Sequence, residues 1–218
     1  MTFPIESYSS FGEDRLILKF LAKQPAGFYV DVGAHAPKDY SNTYALYQRG
    51  WRGVAIDPDP AAIDAFHGER PEDIALQLAV GTKPGTVTLH LFSDRSMNTV
   101  DETLYLKTLQ NPRKRHLGDI EVERQTLAAI LSQHVPAGRS VDFMNVDCEG
   151  ADLDVLRSND WARFHPGLLA VEDLDLDLER VVESRIFRFL RPLGYRLVSH
   201  LHYTSLYRLS LDQPFGCA

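Results

Sequence analysis

Residues 28–44 read FYVDVGAHAPKDYSNTY. An apolar run holding one acid, Asp31, stops at Gly33-Ala34, and a polar, proline-bearing loop follows. Such a run predicts a short strand, buried on both faces if it is central and parallel. A dinucleotide site would place G-x-G-x-x-G here, because a pyrophosphate must approach the backbone and a helix N-terminus. Gly33 is instead the only glycine before the next helix, and Ala34-His35-Ala36-Pro37-Lys38 follows it.

The chain on either side alternates strands with helices. Before the strand, EDRLILKFLAK spaces Leu16, Ile17, Phe20 and Leu21 as one helical face, and Pro25 and Gly27 stop it. After it, SNTYALYQRG predicts a helix capped by Ser41 or Asn42, with Gly50 past its end. WRGVAIDPDP is a second strand, 60–70 a helix with Pro60 in its first turn, and 73–81 a third strand. GTVTLHLF alternates, as expected of an antiparallel neighbour or hairpin partner. From 93 to 119 no strong period holds, apart from a weak helix near 101–109; this stretch is expected to be a substrate loop. Further on come a helix at 124–134, a strand at 141–150 running into a helix at 151–158, and a strand at 167–175. A helix at 179–194 and two closing strands at 195–200 and 204–210 complete the pattern. The expectation is one domain over 1–218 with an N-terminal helical extension at 1–25. Its sheet is mostly parallel with helices on both faces, and its ligand lies beyond the strands' carboxyl ends.

Composition narrows the ligand. The 218 residues carry a net charge of −7, which argues against a general nucleic-acid binder. No apolar stretch reaches the length of a membrane span, and the first residues lack the pattern of a secretory leader. Cys148 and Cys217 are the only cysteines, too few for a disulfide framework. A reducing, cytoplasmic setting and a small-molecule or glycan substrate are expected, with oligomeric state, homo-oligomer included, left open.

Four of the expected parallel strands end in carboxylates: Asp31, Asp57, Asp147 and the pair Glu172-Asp173. Acids converging on one sheet edge repel one another unless a cation or a ligand rich in donors relieves them. The plain alternative is that each caps a helix or pairs with an arginine. A ligand with a positive centre, a ribose and no phosphates fits this edge, and S-adenosylmethionine is such a ligand. Asp57 stands where an acid accepts hydrogen bonds from ribose hydroxyls.

YSSFGEDRLIL, residues 28–60, RPEDIALQLAVG and FMNVDCEGADLDVLRS occur in this order and spacing. Together they resemble the FkbM-type S-adenosylmethionine-dependent methyltransferases over roughly residues 8–210. The resemblance implies a class I methyltransferase fold: a Rossmann-like three-layer α/β sandwich on a mostly parallel seven-stranded sheet with an antiparallel C-terminal strand. It implies O-methylation of hydroxyls on sugars, glycans or natural products. It assigns cofactor contacts to Asp31, Gly33, Ala34, the Ser41-Asn42-Thr43 turn, Asp57, Pro58, Ala79 and Val80. Asp147 and Glu149 stand in the family's D-x-E-G motif, here with Cys148 between the acids, and Glu172-Asp173 opens an unusually acidic run, EDLDLDLE.

An alcohol needs help to act as a nucleophile at neutral pH. Candidate bases are Asp147, His35 and Glu149, and the other route is Mg²⁺ held by Asp147, Glu172 and Asp173. NPRKRHLG, at 111–118, reads as a solvated basic run or an attractor of phosphorylated substrates, and Trp51 and Trp161 read as packing residues. His200 and His202 lack a third ligand for zinc. Two other functions stay open: a nicotinamide-dependent oxidoreductase, and a non-catalytic nucleoside-binding module.

Overall fold

A computed structural model describes residues 6–210; Cys217 lies outside them. The opening stretch forms β1 (Phe28–Val32), buried along its whole length. It pairs in parallel with β2 (Arg52–Asp57) on one side and with β7 (Phe143–Val146) on the other. β3 (Ile74–Gln77) extends the sheet beyond β2, and β8 (Leu168–Glu172) extends it beyond β7. β10 (Thr204–Leu209) and β9 (Tyr195–Leu201) close it as antiparallel neighbours. The seven-stranded order is β3-β2-β1-β7-β8-β10-β9, so strand order reverses between β1 and β7. This is the mostly parallel sheet that the sequence pattern predicts, in the Rossmann-like form with an antiparallel C-terminal strand that the family resemblance implies.

Pleating divides the core. Val30, Val32, Met144, Val146, Leu169 and Val171 face one cluster with α5 (Leu127–His134), α6 (Asp152–Arg157) and α7 (Arg185–Leu190). Tyr29, Phe143, Leu168 and Ala170 face the other with α1 (Glu13–Phe20) and α2 (Tyr44–Tyr47). Successive residues of a strand point to opposite faces, so each strand feeds both layers. α3 (Pro60–Glu69) follows β2, with Pro60 in its first turn and the Asp59 side chain accepting from the Ala61 amide.

Three sequence-based expectations change. Residues 73–81 form two strands, since β4 (Ala79–Val80) leaves β3 to join a separate sheet of order β4-β6-β5. Within it β5 (Gly85–Phe92) is antiparallel to β6 (His116–Gln125), a ten-residue strand that sequence reasoning missed. Only Val122 of β6 is buried, and its apolar–polar alternation is confined to Ile120–Glu123, too short to announce a ten-residue strand. Helix α4 (Glu102–Thr108) occupies the expected place, capped by Asp101. The long helix expected at 179–194 divides at Ser184, whose hydroxyl caps α7 and whose backbone N–H closes the preceding 3₁₀ turn, Leu178–Glu183, by donating to the Val181 carbonyl. No helix among the described residues is long and apolar enough to cross a membrane.

Candidate active site

A cavity of about 770 Å³ opens at the carboxyl ends of β1, β2 and β7, where strand order reverses. Such edges are where ligands of doubly wound sheets sit, and the volume suits a cofactor with part of a substrate. Asp31, Asp57, Asp147 and Glu172 all line it, so the strand-end acids do converge.

Asp31 is a fully buried anchor. One oxygen accepts the Thr43 hydroxyl at 2.5 Å and the other the Asn145 amide at 2.9 Å. Asn42 donates to Asn145 at 3.0 Å, which ties the 41–43 turn to β1 and β7. Ser41 accepts from the Thr43 and Tyr44 amides at the start of α2. Ser41 and Asn42 line the cavity, while Thr43 lies behind them.

Behind Thr43 stands Arg70, which sequence reasoning did not single out. Its side chain is fully buried, ion-paired with Asp73 at 2.7 Å. It donates to the Pro37 carbonyl, the Thr43 hydroxyl and the Tyr29 hydroxyl. One guanidinium thus fixes the middle and the far end of the loop that follows β1. The only signal was its place in RPEDIALQLAVG, since a lone arginine at a helix end looks like a surface residue.

Gly33 has φ +76, and a Cβ there would stand 1.7 Å from the Asp147 carbonyl oxygen. The glycine is required because the ends of β1 and β7 touch. Ala34 beside it is buried. His35 also sits at positive φ, and its amide donates to Asp57 at 2.8 Å. Burial lowers the ring's pKa from its ordinary value, with the Arg95 cation adding to the effect.

Asp57 accepts from both the His35 and Asp59 amides at 2.8 Å, locking the β1 and β2 loops together. Burial lifts its carboxyl to about 6 despite those bonds. Pro58 follows at the rim, and Ala79 and Val80 are buried in the cavity wall on β4. Arg95, from the 93–100 stretch, pairs with Asp59 at 2.7 Å and brings that stretch over the cavity. Glu13 of α1 lines the cavity too, and sequence reasoning did not place it there.

Asp147 differs from Asp31 and Asp57: among the described residues nothing donates a hydrogen bond to its half-buried side chain. Burial raises its carboxyl to about 7, with Asp31, Glu13 and Asp57 adding repulsion. Glu149, at φ +46, rises to about 8 through burial and Asp147. Glu172 rises to about 11 through burial, then Asp147, Asp152 and Glu149; its Oε2 is buried without a partner. Asp147, Glu149 and Glu172 offer oxygens within 4.8 Å of one another.

Asp173 is not in that group. β7 and β8 pair Asn145 with Ala170, which sets Asp147 beside Glu172 on the same face. The pleat turns Asp173 to the other face, where it accepts the Ser184 hydroxyl at 2.6 Å. Cys148 packs against the core, and burial pushes its thiol pKa up.

No curated protein matches the chain. The Methyltransferase FkbM domain model matches residues 31–197, a span that holds the carboxyl end of β1, the reversal point and every acid of the cavity except Glu13, and the chain belongs to that methyltransferase family.

Proposed function

We propose that the chain is an S-adenosylmethionine-dependent O-methyltransferase acting on a hydroxyl of a sugar, glycan or related natural product. The observation that carries this reading is the Asp147 carboxylate: half-buried, lining the cavity, without a hydrogen-bond donor among the described residues, and raised to about 7. A general base works best with a pKa near the operating pH.

The cavity suits the cofactor electrostatically. Its carboxylates favour a cationic sulfonium and oppose a pyrophosphate. Asp31, Gly33, Ala34, the 41–43 turn, Asp57, Pro58, Ala79 and Val80 are the residues that would hold it. When bound, S-adenosylmethionine supplies a methyl group on positively charged sulfur. Asp147 then takes the proton from the acceptor hydroxyl. Glu149 and Glu172, raised to about 8 and about 11, hold their protons at neutral pH and offer O–H donors to neighbouring hydroxyls. His35, its ring kept neutral by burial, is a second base at the cavity wall.

Three exposed aromatics, Phe11, Tyr40 and Tyr203, line the cavity mouth. Flat apolar faces beside polar groups suit a sugar ring, whose C–H faces stack while its hydroxyls hydrogen-bond. The 93–100 stretch also lines the cavity and contributes to the acceptor side. A Mg²⁺ ion on Asp147, Glu149 and Glu172 is a second route: it would replace the protons these acids hold and polarise the hydroxyl. Activity in EDTA separates the two routes.

Calorimetry with S-adenosylhomocysteine, with NAD⁺ as the contrasting ligand, tests the cofactor. Transfer of labelled methyl to a panel of hydroxylated sugars tests the acceptor. Heat with NAD⁺ alone, or none with either form of the sulfonium nucleoside, overturns the reading.

A further inference from the structure

The small sheet carries a group of side chains that methyl transfer does not use. His90 on β5 and His116 on β6 turn ring nitrogens to the same oxygen of Asp119. His90 Nδ1 lies 2.8 Å from Asp119 Oδ1, and His116 Nε2 lies 2.7 Å from it. The other nitrogen of His90, Nε2, stands 3.3 Å from Oε2 of Glu102 on α4. Tyr105 of α4 stacks on the His90 ring with centroids 3.7 Å apart. His90 is buried, whereas the His116 and Asp119 side chains reach solvent.

Three side chains of metal-ligand type converge here from two strands. A neutral His90 has one N–H and cannot donate to both Asp119 and Glu102. A charged His90 beside a neutral His116 satisfies these contacts with protons, and a divalent cation satisfies them with both rings neutral. Two neutral rings then point lone pairs inward, Asp119 supplies an oxygen, and His90 Nε2–H donates to Glu102. A carboxylate behind a ligating histidine orients the ring and selects its tautomer. The three ligating groups offer atoms within 4.8 Å of one another. Two imidazoles and one carboxylate select Zn²⁺-type ions over Mg²⁺ or Ca²⁺, which take oxygen sets.

We propose that His90, His116 and Asp119 form a transition-metal site of the zinc type, oriented by Glu102, with water in the fourth position. The site joins β5, β6 and α4, so a bound ion fastens the elements that carry the 93–100 stretch at the cavity mouth. It stands independently of the methyl-transfer reading.

The full chain, without an affinity tag and stripped by a chelator, is titrated with ZnCl₂ by calorimetry and with CoCl₂ by visible absorption. One equivalent of Zn²⁺ binds, and Co²⁺ shows the intense bands of a four-coordinate ion. Glu102→Gln weakens Zn²⁺ binding about 10–100-fold, as for other outer partners of a ligand, and His116→Ala weakens it more than that. His116→Gln repeats the loss with a side chain of similar bulk, and circular dichroism confirms that each variant is folded. Asp147→Asn leaves the Zn²⁺ affinity unchanged, because its acids form a separate group. The proposal is overturned by absence of Zn²⁺ binding, or by binding that Asp147→Asn removes and the His116 variants retain.

Discussion

A β-carbon on Gly33 would lie 1.7 Å from the main-chain carbonyl oxygen of Asp147, two residues at the ends of adjacent parallel strands. No side-chain rotation relieves that contact, because both partners are backbone. Gly33→Ala therefore forces β1 and β7 apart and also strains a residue at φ +76. The expected loss is about 2–4 kcal/mol of unfolding free energy, read from urea denaturation. A variant as stable as the parent would show that the strand ends yield easily.

Asp147→Asn tests the base. The active form is the carboxylate, which is populated above about 7. In the parent, kcat/KM should rise tenfold per pH unit below that value and level off above it. The variant should lose about 10²–10⁴-fold in rate and its acidic limb with it, while binding S-adenosylhomocysteine nearly as before. Equal losses in rate and affinity would make Asp147 a cofactor contact.

Buried acids set the pH dependence of stability. Asp147, Glu149, Asp152 and Glu172 have folded values of about 7, 8, 8 and 11, all above the unfolded range near 4. The unfolded chain releases these protons first. The stability these groups contribute is therefore full below about pH 4 and declines as pH rises through their folded values, for Glu172 as far as about 11. The urea midpoint should be higher at pH 5 than at pH 8, and Glu172→Gln should narrow the gap. A midpoint that climbs over this interval refutes the burial of these acids.

Arg70→Ala leaves Asp73 as an uncompensated buried charge, and removes the donor that fixes Pro37 and Thr43. The expected cost is about 3–5 kcal/mol, measured by denaturant melts. Arg70→Lys should rescue little, because a single ammonium cannot span partners on several sides of a planar fork.

Asp57→Ala should weaken cofactor binding and also loosen the fold. The carboxylate accepts two loop amides, and each buried donor left unmet costs about 1–3 kcal/mol. Hydrogen exchange at the His35 and Asp59 amides should accelerate in this variant. Unchanged exchange would mean that water replaces the side chain without loss.

Much of this architecture is legible in local pattern. Buried strands such as FYVDV and LLAVE are apolar runs around single acids, and residues such as Pro60 and Gly50 mark where helices begin or end. Chain order alone supplies the acids at successive strand ends. β6 escapes this logic because its alternation of apolar and polar residues is confined to Ile120–Glu123, and only Val122 is buried.

Which acids meet is a tertiary matter. Glu172 and Asp173 are neighbours in sequence, yet the pleat sends one to Asp147 and the other to Ser184, and strand register decides which. His90 and His116 come together only because β5 and β6 pair, and Arg70 becomes a hub only because a loop folds over it. Residue type and spacing record the energy of local choices. Contacts between distant segments depend on register and face, and those are settled when the sheet closes and the core excludes water.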